Sequence, residues 1–264
     1  MRILVKLGGS LLTEAEALHR IIRQLIELQD HHHEVIVVHG GGKQIKQTLE
    51  QLEIPSSFHN GLRITDAATL RVVQMVLAGW VNKDIVAAFS RFGRRAVGIC
   101  GGDGECLIAR KYQDPDTDSA PVDYQFVGQV VKGSSDLVDA LLREKYVPVI
   151  ACIALGEDHA YYNVNADEMA AAAALIFGVD RLLFLTDVPG ILDQSRQVIP
   201  HLSRADITGL REAGIIRDGM LPKTRACERA LEEGLKQVHI VGGNEPNCLI
   251  RVLLQGQPLG TTLS

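Results

Sequence analysis

Lys6, Lys223 and Asp167 are charged residues at positions where the surrounding sequence argues for burial. Lys6 lies inside Ile3 to Leu7, a segment otherwise apolar, two residues before Gly8-Gly9. A lysine at the end of a buried strand needs an anion to offset its desolvation. Lys223 follows Gly219-Met220-Leu221-Pro222, and proline at a first helical position sets it in the first turn of a helix reaching Leu231. A cation there opposes the helix dipole unless negative charge is close. Asp167 belongs to Asn163-Val164-Asn165-Ala166-Asp167-Glu168, in which Asn165 can cap a helix whose small face runs from Ala170 to Ala174. Each of the three, alone, also reads as a surface ion-pair partner or a cap. Two cations and one carboxylate gathered at glycine-rich strand ends suit phosphoryl transfer, where catalysis is mainly positioning plus electrostatic stabilisation. They do not suit hydride transfer.

The glycines carry the second signal. There are 25 in 264 residues, above the usual ~7%, and the excess sits at the carboxyl ends of predicted strands. Gly8-Gly9, Gly40-Gly41-Gly42, Gly101-Gly102-Asp103-Gly104, Asp187-Val188-Pro189-Gly190 and Gly242-Gly243-Asn244 all fall there. Open α/β sheets bind ligands at that edge, and glycine lets backbone N–H groups approach an anion closely. Any single turn also reads as a plain strand-to-helix connection. No strand runs into G-x-G-x-x-G and nothing matches G-x-x-x-x-G-K-[ST], so dinucleotide dehydrogenases and P-loop kinases lose ground.

The elements that must position these residues alternate. Ile3 to Leu7 reads as a strand, and Thr13 with Glu16 gives a capping box for a helix whose apolar stripe is Leu18, Ile21, Ile22, Leu25 and Leu28. Val35-Ile36-Val37-Val38 is a β-branched run apolar on both faces, as a central parallel strand must be. Helix Lys43 to Leu52, strand Ala96 to Cys100, helix Asp136 to Tyr146, and strands Val147 to Ala151, Arg181 to Thr186 and Gln237 to Val241 continue the pattern. The fold class expected is α/β, a three-layer αβα sandwich with a mostly parallel central sheet. Cys106 to Lys111 and Tyr124 to Val131 depart from it and predict a β-hairpin, a lid or edge element flanking Asp114-Pro115-Asp116-Thr117-Asp118. No linker separates two domains, and a lobe boundary is placed near Phe177.

Composition excludes other classes. With 27 basic and 32 acidic residues the formal charge is 27 − 32 = −5, and no Lys/Arg stripe stands out as a nucleic-acid binder requires. The apolar stretches Val147 to Leu155 and Met169 to Val179 fall short of the ~20 residues that cross a bilayer. Met1-Arg2-Ile3-Leu4-Val5-Lys6 sets a charge where a signal peptide needs its apolar core, so a cytoplasmic address is expected. Five cysteines without a CxxC predict buried, reduced thiols. His31-His32-His33 lies in a helix-to-strand turn with no distant ligand set, so no protein-held metal is assigned. Arg91, Arg94 and Arg95 follow a helix and read as stabilising its end. Trp80 suits either the core or a subunit interface.

Six ordered motifs carry a resemblance. They are Val5-Lys6-Leu7-Gly8-Gly9-Ser10, His39-Gly40-Gly41-Gly42, Asn60-Gly61-Leu62-Arg63-Ile64-Thr65, Asn163-Val164-Asn165-Ala166-Asp167, Thr186-Asp187-Val188-Pro189-Gly190-Ile191 and Asp218-Gly219-Met220-Leu221-Pro222-Lys223. Over nearly its whole length the chain resembles the amino acid kinase family, and within it the branch acting on N-acetyl-L-glutamate in arginine biosynthesis. The resemblance implies transfer of the γ-phosphoryl group of ATP, with Mg2+, to the side-chain carboxylate of that substrate. It implies that Lys6 and Lys223 stabilise the transition state with Asp167 orienting them. Gly41, Gly42, Arg63 and Asn163 would bind the acceptor; Gly8, Gly9, Gly178, Asp180, Thr186, Asp187, Gly190, Ile216 and Arg217 would bind the nucleotide. Residues 1–177 would form an amino-acid lobe and residues 178–264 an ATP lobe, in a homodimer. Because the first strand begins at Ile3, without the extra helix of arginine-inhibited relatives, insensitivity to arginine is expected. Two alternatives stay open: a kinase for a carrier-linked aminoadipate or glutamate, and a silent sensor on the same fold.

Overall fold

The computed structural model describes residues 1–114, 122–216 and 220–264. Two buried strands open it. β1 (Arg2–Leu7) and β2 (Glu34–His39) are buried along almost their whole length and pair in parallel, Lys6 opposite Val38 and Leu7 opposite His39. Strands with no polar face require helices on both sides of the sheet. Between them α1 (Ala15–Asp30) makes the crossover, burying the predicted stripe from Leu18 to Leu28. Its N-cap is Glu14, with no side-chain cap bond, rather than the expected Thr13. The three-residue 3-10 turn Ser10–Leu12 delays the helix by a residue, so the capping-box spacing no longer applies.

The chain continues through α2 (Gly42–Gln51), the short hairpin β3 (Phe58–His59) and β4 (Leu62–Arg63), and one continuous helix, Ala67–Arg91. That helix consists of α3 (Ala67–Gln74), seven π-helical residues Met75–Val81, and α4 (Asn82–Arg91). At 25 residues it is long and apolar enough to span a bilayer, which neither of the stretches singled out from sequence is, and one face of it is buried in the protein. Val72, Val73, Leu77, Val81, Ile85 and Phe89 enter the core, which makes it a core helix.

There follow β5 (Ala96–Cys100), β6 (Ile108–Lys111), β7 (Val127–Lys132), α5 (Asp136–Arg143), β8 (Val147–Ala151), β9 (Ile153–Gly156) and β10 (Tyr161–Val164). The last part comprises α6 (Ala166–Ile176), β11 (Arg181–Thr186), β12 (His201–Leu202), α7 (Arg204–Glu212), α8 (Met220–Glu232), β13 (Val238–Gly242), α9 (Cys248–Leu253) and β14 (Thr261–Leu263). The main sheet has eight strands in the order β12-β14-β13-β11-β1-β2-β8-β5, parallel from β13 to β5. The α/β expectation holds, with β14 antiparallel to β13 as the departure. Strands after residue 177 form one half of this sheet and earlier strands the other, joined where β1 pairs β11.

Helices α5, α6 and α8 pack over one face and α1, α4 and α9 over the other. Ala170 to Ala174 of α6 are all buried, and their small side chains let that helix sit close on β1, β2 and β11. The predicted hairpin is real, β6 running antiparallel to β7. It is one wall of a closed four-stranded barrel with β9 and β10 rather than a free lid. Residues 115–121, in the loop between its strands, lie outside the described residues.

Candidate active site

The carboxyl ends of β1, β2, β8 and β11 meet at one edge, with Leu7 level with His39 and His39 with Ala151. Lys6 extends from this end of β1 to Asp167 in the first turn of α6, Nζ to Oδ1 2.8 Å. Lys223, in the first turn of α8, donates to both Asp167 oxygens at 2.9 Å. Asn165 caps α6 as expected, its Oδ1 accepting from the Asp167 and Glu168 N–H groups, which fixes the turn carrying the carboxylate. Pro222 stands third rather than first among the helical residues described for α8, and Lys223 still falls in the first turn.

All three groups are buried, at 8%, 8% and 5% exposure for Lys6, Asp167 and Lys223. Burial alone raises the Asp167 carboxyl, but Lys6 and Lys223 outweigh it and hold the group at about 2. Burial, with Lys6 adding to it, lowers Lys223 against the opposing pull of Asp167. Its ammonium also lies 5.1 Å from the Phe184 ring centroid. One carboxylate between two ammonium groups leaves a net positive charge in a dry place, suited to receiving an anion.

Beside this group lies a cavity of about 310 Å³ lined by Gly41, Gly42, Phe58, Arg63, Cys152 and Asn163 among others. The Arg63 guanidinium, 4.5 Å above the Phe58 ring, donates to Ser56 Oγ and, at 3.4 Å, to the Gly42 carbonyl. No carboxylate of the described residues pairs with it, and burial lowers its pKa. Asn163 donates to Thr65 Oγ1 at 3.1 Å, and Thr65 Oγ1 donates to the Arg63 carbonyl at 2.8 Å, which couples these two lining residues. Phe58 and Cys152 were not singled out from sequence, and only the pairing of β3 with β4 and of β8 with β2 brings them here. A larger cavity, about 480 Å³ against Leu12, His19, Trp80 and Arg91, contains none of these groups.

The remaining sequence-selected residues divide. Gly8 is forced, since a Cβ there would stand 2.5 Å from the Leu185 carbonyl oxygen, while Gly9 faces open space. Thr186 ends β11 at the same edge and accepts from the Gly243 N–H at 2.9 Å; Asp187 follows it. At Gly190 a Cβ would come 2.8 Å from Thr261 Oγ1. Ile216 is buried, and Arg217 lies outside the described residues. Gly178 and Asp180 are not brought to the site. They precede β11, at the opposite edge of the sheet and ~20 Å away along a six-residue strand. There Asp180 accepts from the Arg2 backbone N–H at 2.7 Å and Gly178 takes the positive φ of a helix end.

A family model described as the amino acid kinase family matches residues 1–242. The chain is 41% identical over 266 aligned positions to the acetylglutamate kinase of Brucella anthropi, covering 99% of this chain and 90% of that one. It is 38% identical to the acetylglutamate kinase of Geobacter metallireducens, covering 99% and 91%. Among solved structures, a Streptococcus mutans UA159 protein superposes with a TM-score of 0.83 at 25% identity, covering 100% and 98%. With the fold, the paired lysines and these full-length matches in agreement, the chain belongs to the amino acid kinase family.

Proposed function

We propose that this protein transfers the γ-phosphoryl group of ATP to the side-chain carboxylate of N-acetyl-L-glutamate, the activity named for its curated relatives. The observation that carries the reading is the buried Lys6–Asp167–Lys223 group beside a cavity whose guanidinium, Arg63, lacks an acidic partner among the described residues. A phosphoryl acceptor that is already a carboxylate at neutral pH needs no general base. What it needs is relief of repulsion between two anions, and two ammonium groups held by one carboxylate supply that. Arg63 would take the α-carboxylate of the acceptor as a fork, Asn163 its amide, and the Gly41 and Gly42 N–H groups its remaining oxygens.

Gly8, Gly9, Thr186, Asp187, Gly190 and Ile216 are assigned to the nucleotide side, and Gly178 and Asp180 to turns. Among the described residues no cluster of three His, Cys, Asp or Glu side chains could hold a metal ion, and Asp167 is committed to its lysines. The described residues offer no such cluster, and Mg2+ is assigned to the incoming nucleotide phosphates. The lobes divide near residue 177, a homodimer forms over the exposed side of helix Ala67–Arg91, where Met75 and Trp80 stand 58% and 47% exposed, and the enzyme works in the cytoplasm.

The test is turnover of ATP with magnesium and N-acetyl-L-glutamate, L-glutamate, aspartate, carbamate or UMP, with hydroxylamine present to trap an acyl phosphate. Hydroxamate formed with N-acetyl-L-glutamate alone is expected. Silence with every acceptor would overturn the proposal and shift belief to a carrier-linked substrate or a sensor.

A further inference from the structure

The glycine turn after β2 is held from behind by buried polar side chains that none of the roles above uses. His39, fully buried, sets Nδ1 2.9 Å from the Gly40 carbonyl oxygen and Nε2 3.1 Å from Asn82 Nδ2. Asn82, 1% exposed, also donates from Nδ2 to the Val149 carbonyl at 2.9 Å, and its Oδ1 accepts from Lys83 Nζ at 3.1 Å. Proton counting leaves one solution. The Gly40 carbonyl can only accept, so Nδ1 carries the ring hydrogen. The Val149 carbonyl and the Lys83 ammonium fix which way the Asn82 amide faces, so it offers Nε2 a hydrogen and Nε2 is bare. Every contact is then satisfied with a neutral ring, and burial lowers the His39 pKa to about 4, which keeps it neutral. Space for this arrangement exists because residue 98 of β5 is glycine: a Cβ there would stand 1.7 Å from Asn82 Oδ1 and 2.7 Å from Lys83 Nζ.

The geometry passes to the cavity through one peptide. A trans peptide holds its C=O and N–H on opposite sides, and no described peptide bond is cis. Fixing the Gly40 oxygen toward His39 turns the Gly41 N–H away from it, and no acceptor among the described residues takes that N–H. We propose that His39 and Asn82, in the room left by Gly98, are positioning residues for the acceptor: they orient the Gly40–Gly41 peptide so that the Gly41 N–H donates to the bound carboxylate substrate. This rests on the function proposed above.

Two isosteric halves of the imidazole test it. His39→Asn keeps an amide donor where Nδ1 stands, and His39→Gln keeps a polar group only where Nε2 stands. With folded protein, His39→Gln and Asn82→Ala should raise KM for N-acetyl-L-glutamate about tenfold and leave KM for ATP unchanged, as loss of one oriented hydrogen bond predicts. His39→Asn should stay within about threefold of wild type on the same scale. A wild-type acceptor KM in His39→Gln, or equal effects of the two substitutions, would overturn the proposal. Should the variants not fold, the imidazole nitrogens of the intact enzyme decide it by ¹⁵N NMR at pH 7: Nδ1 protonated and Nε2 bare supports the network, and the opposite tautomer or a charged ring removes it. If wild-type protein fails to turn over N-acetyl-L-glutamate, the functional reading falls, while the tautomer still judges the network.

Discussion

A single carboxylate organises the candidate site, and its two lysines are not equivalent. Lys6 arrives from a strand and contacts one Asp167 oxygen, whereas Lys223 arrives from a helix and contacts both. Replacing either with methionine keeps most of the apolar stem and leaves Asp167 one partner, so no uncompensated charge is buried. Lys223→Met is therefore expected to stay folded and to lose about 10²-fold to 10³-fold in kcat, the usual cost of one oriented electrostatic group. A kcat within a few-fold of wild type, measured by hydroxamate formation on a protein with an unchanged melt, would remove Lys223 from the reaction. Arg63 behaves differently, because its guanidinium is held by Phe58, Ser56 and the Gly42 carbonyl and leaves donors for a ligand. Arg63→Lys retains the charge but loses the fork, and KM for the acceptor should rise by about tenfold or more with a smaller change in kcat. An unchanged acceptor KM would mean that the carboxylate binds elsewhere.

At the scale of elements, the turn at Gly41 depends on a π-helical segment that sequence periodicity does not anticipate. A Cβ at Gly41 would lie 2.6 Å from Leu77 Cδ2 and 3.3 Å from Val81 Cγ2, both in the π-helical segment. That segment also places Asn82 immediately behind the turn. Gly41→Ala must therefore move either the helix or the turn. Its expected cost is about 1–3 kcal/mol by denaturant titration, together with weaker acceptor binding; an alanine variant with wild-type stability and KM would show that the two are not in contact in solution. What was legible follows from the range of the causes. β1, β2, β8 and β11 could be read because burial on both faces demands continuous apolar runs, and the Asn165 cap because it is made within three residues. The barrel that β9 and β10 close with β6 and β7 arises from contacts between distant segments, which leave no periodic trace, and Phe58 meets Arg63 through a hairpin whose two-residue strands are too short to show alternation. Gly178 and Asp180 misled for the converse reason: a glycine at a helix end looks the same in sequence at either edge of a sheet, and only topology separates them. The same helix presents Met75 and Trp80 outward, and Trp80→Glu should convert a dimer to monomers in sedimentation velocity if that face joins two copies.

For the molecule as a whole, the buried ionisable groups set two separate acid ranges. His39 and His239 are held neutral chiefly by burial, each brought to about 4, with Lys83 adding to the effect at His39 and Arg181 at His239. In the unfolded chain both titrate near the ordinary ~6.5. Between those values the unfolded state binds more protons than the folded one, so stability is full above about pH 6.5 and is lost as pH falls toward 4. A depression of this size is on the order of 3 kcal/mol per histidine. Asp167, held at about 2 by its lysines, also loses its contribution as pH falls, but only below the ordinary carboxylate range. Chemical denaturation from pH 8 to pH 4 should therefore show a flat plateau down to about 6.5 and then a decline whose slope approaches two protons. His239 lies in β13, paired through Nδ1 to Thr262 Oγ1 at 3.0 Å and away from Lys6 and Asp167, so His239→Gln should halve that slope and leave turnover at pH 7.5 unchanged. A stability that holds level from pH 7 to pH 4.5 would mean that both rings take up their protons in the folded protein as they do in the unfolded chain, and a slope that the substitution does not touch would mean this of His239.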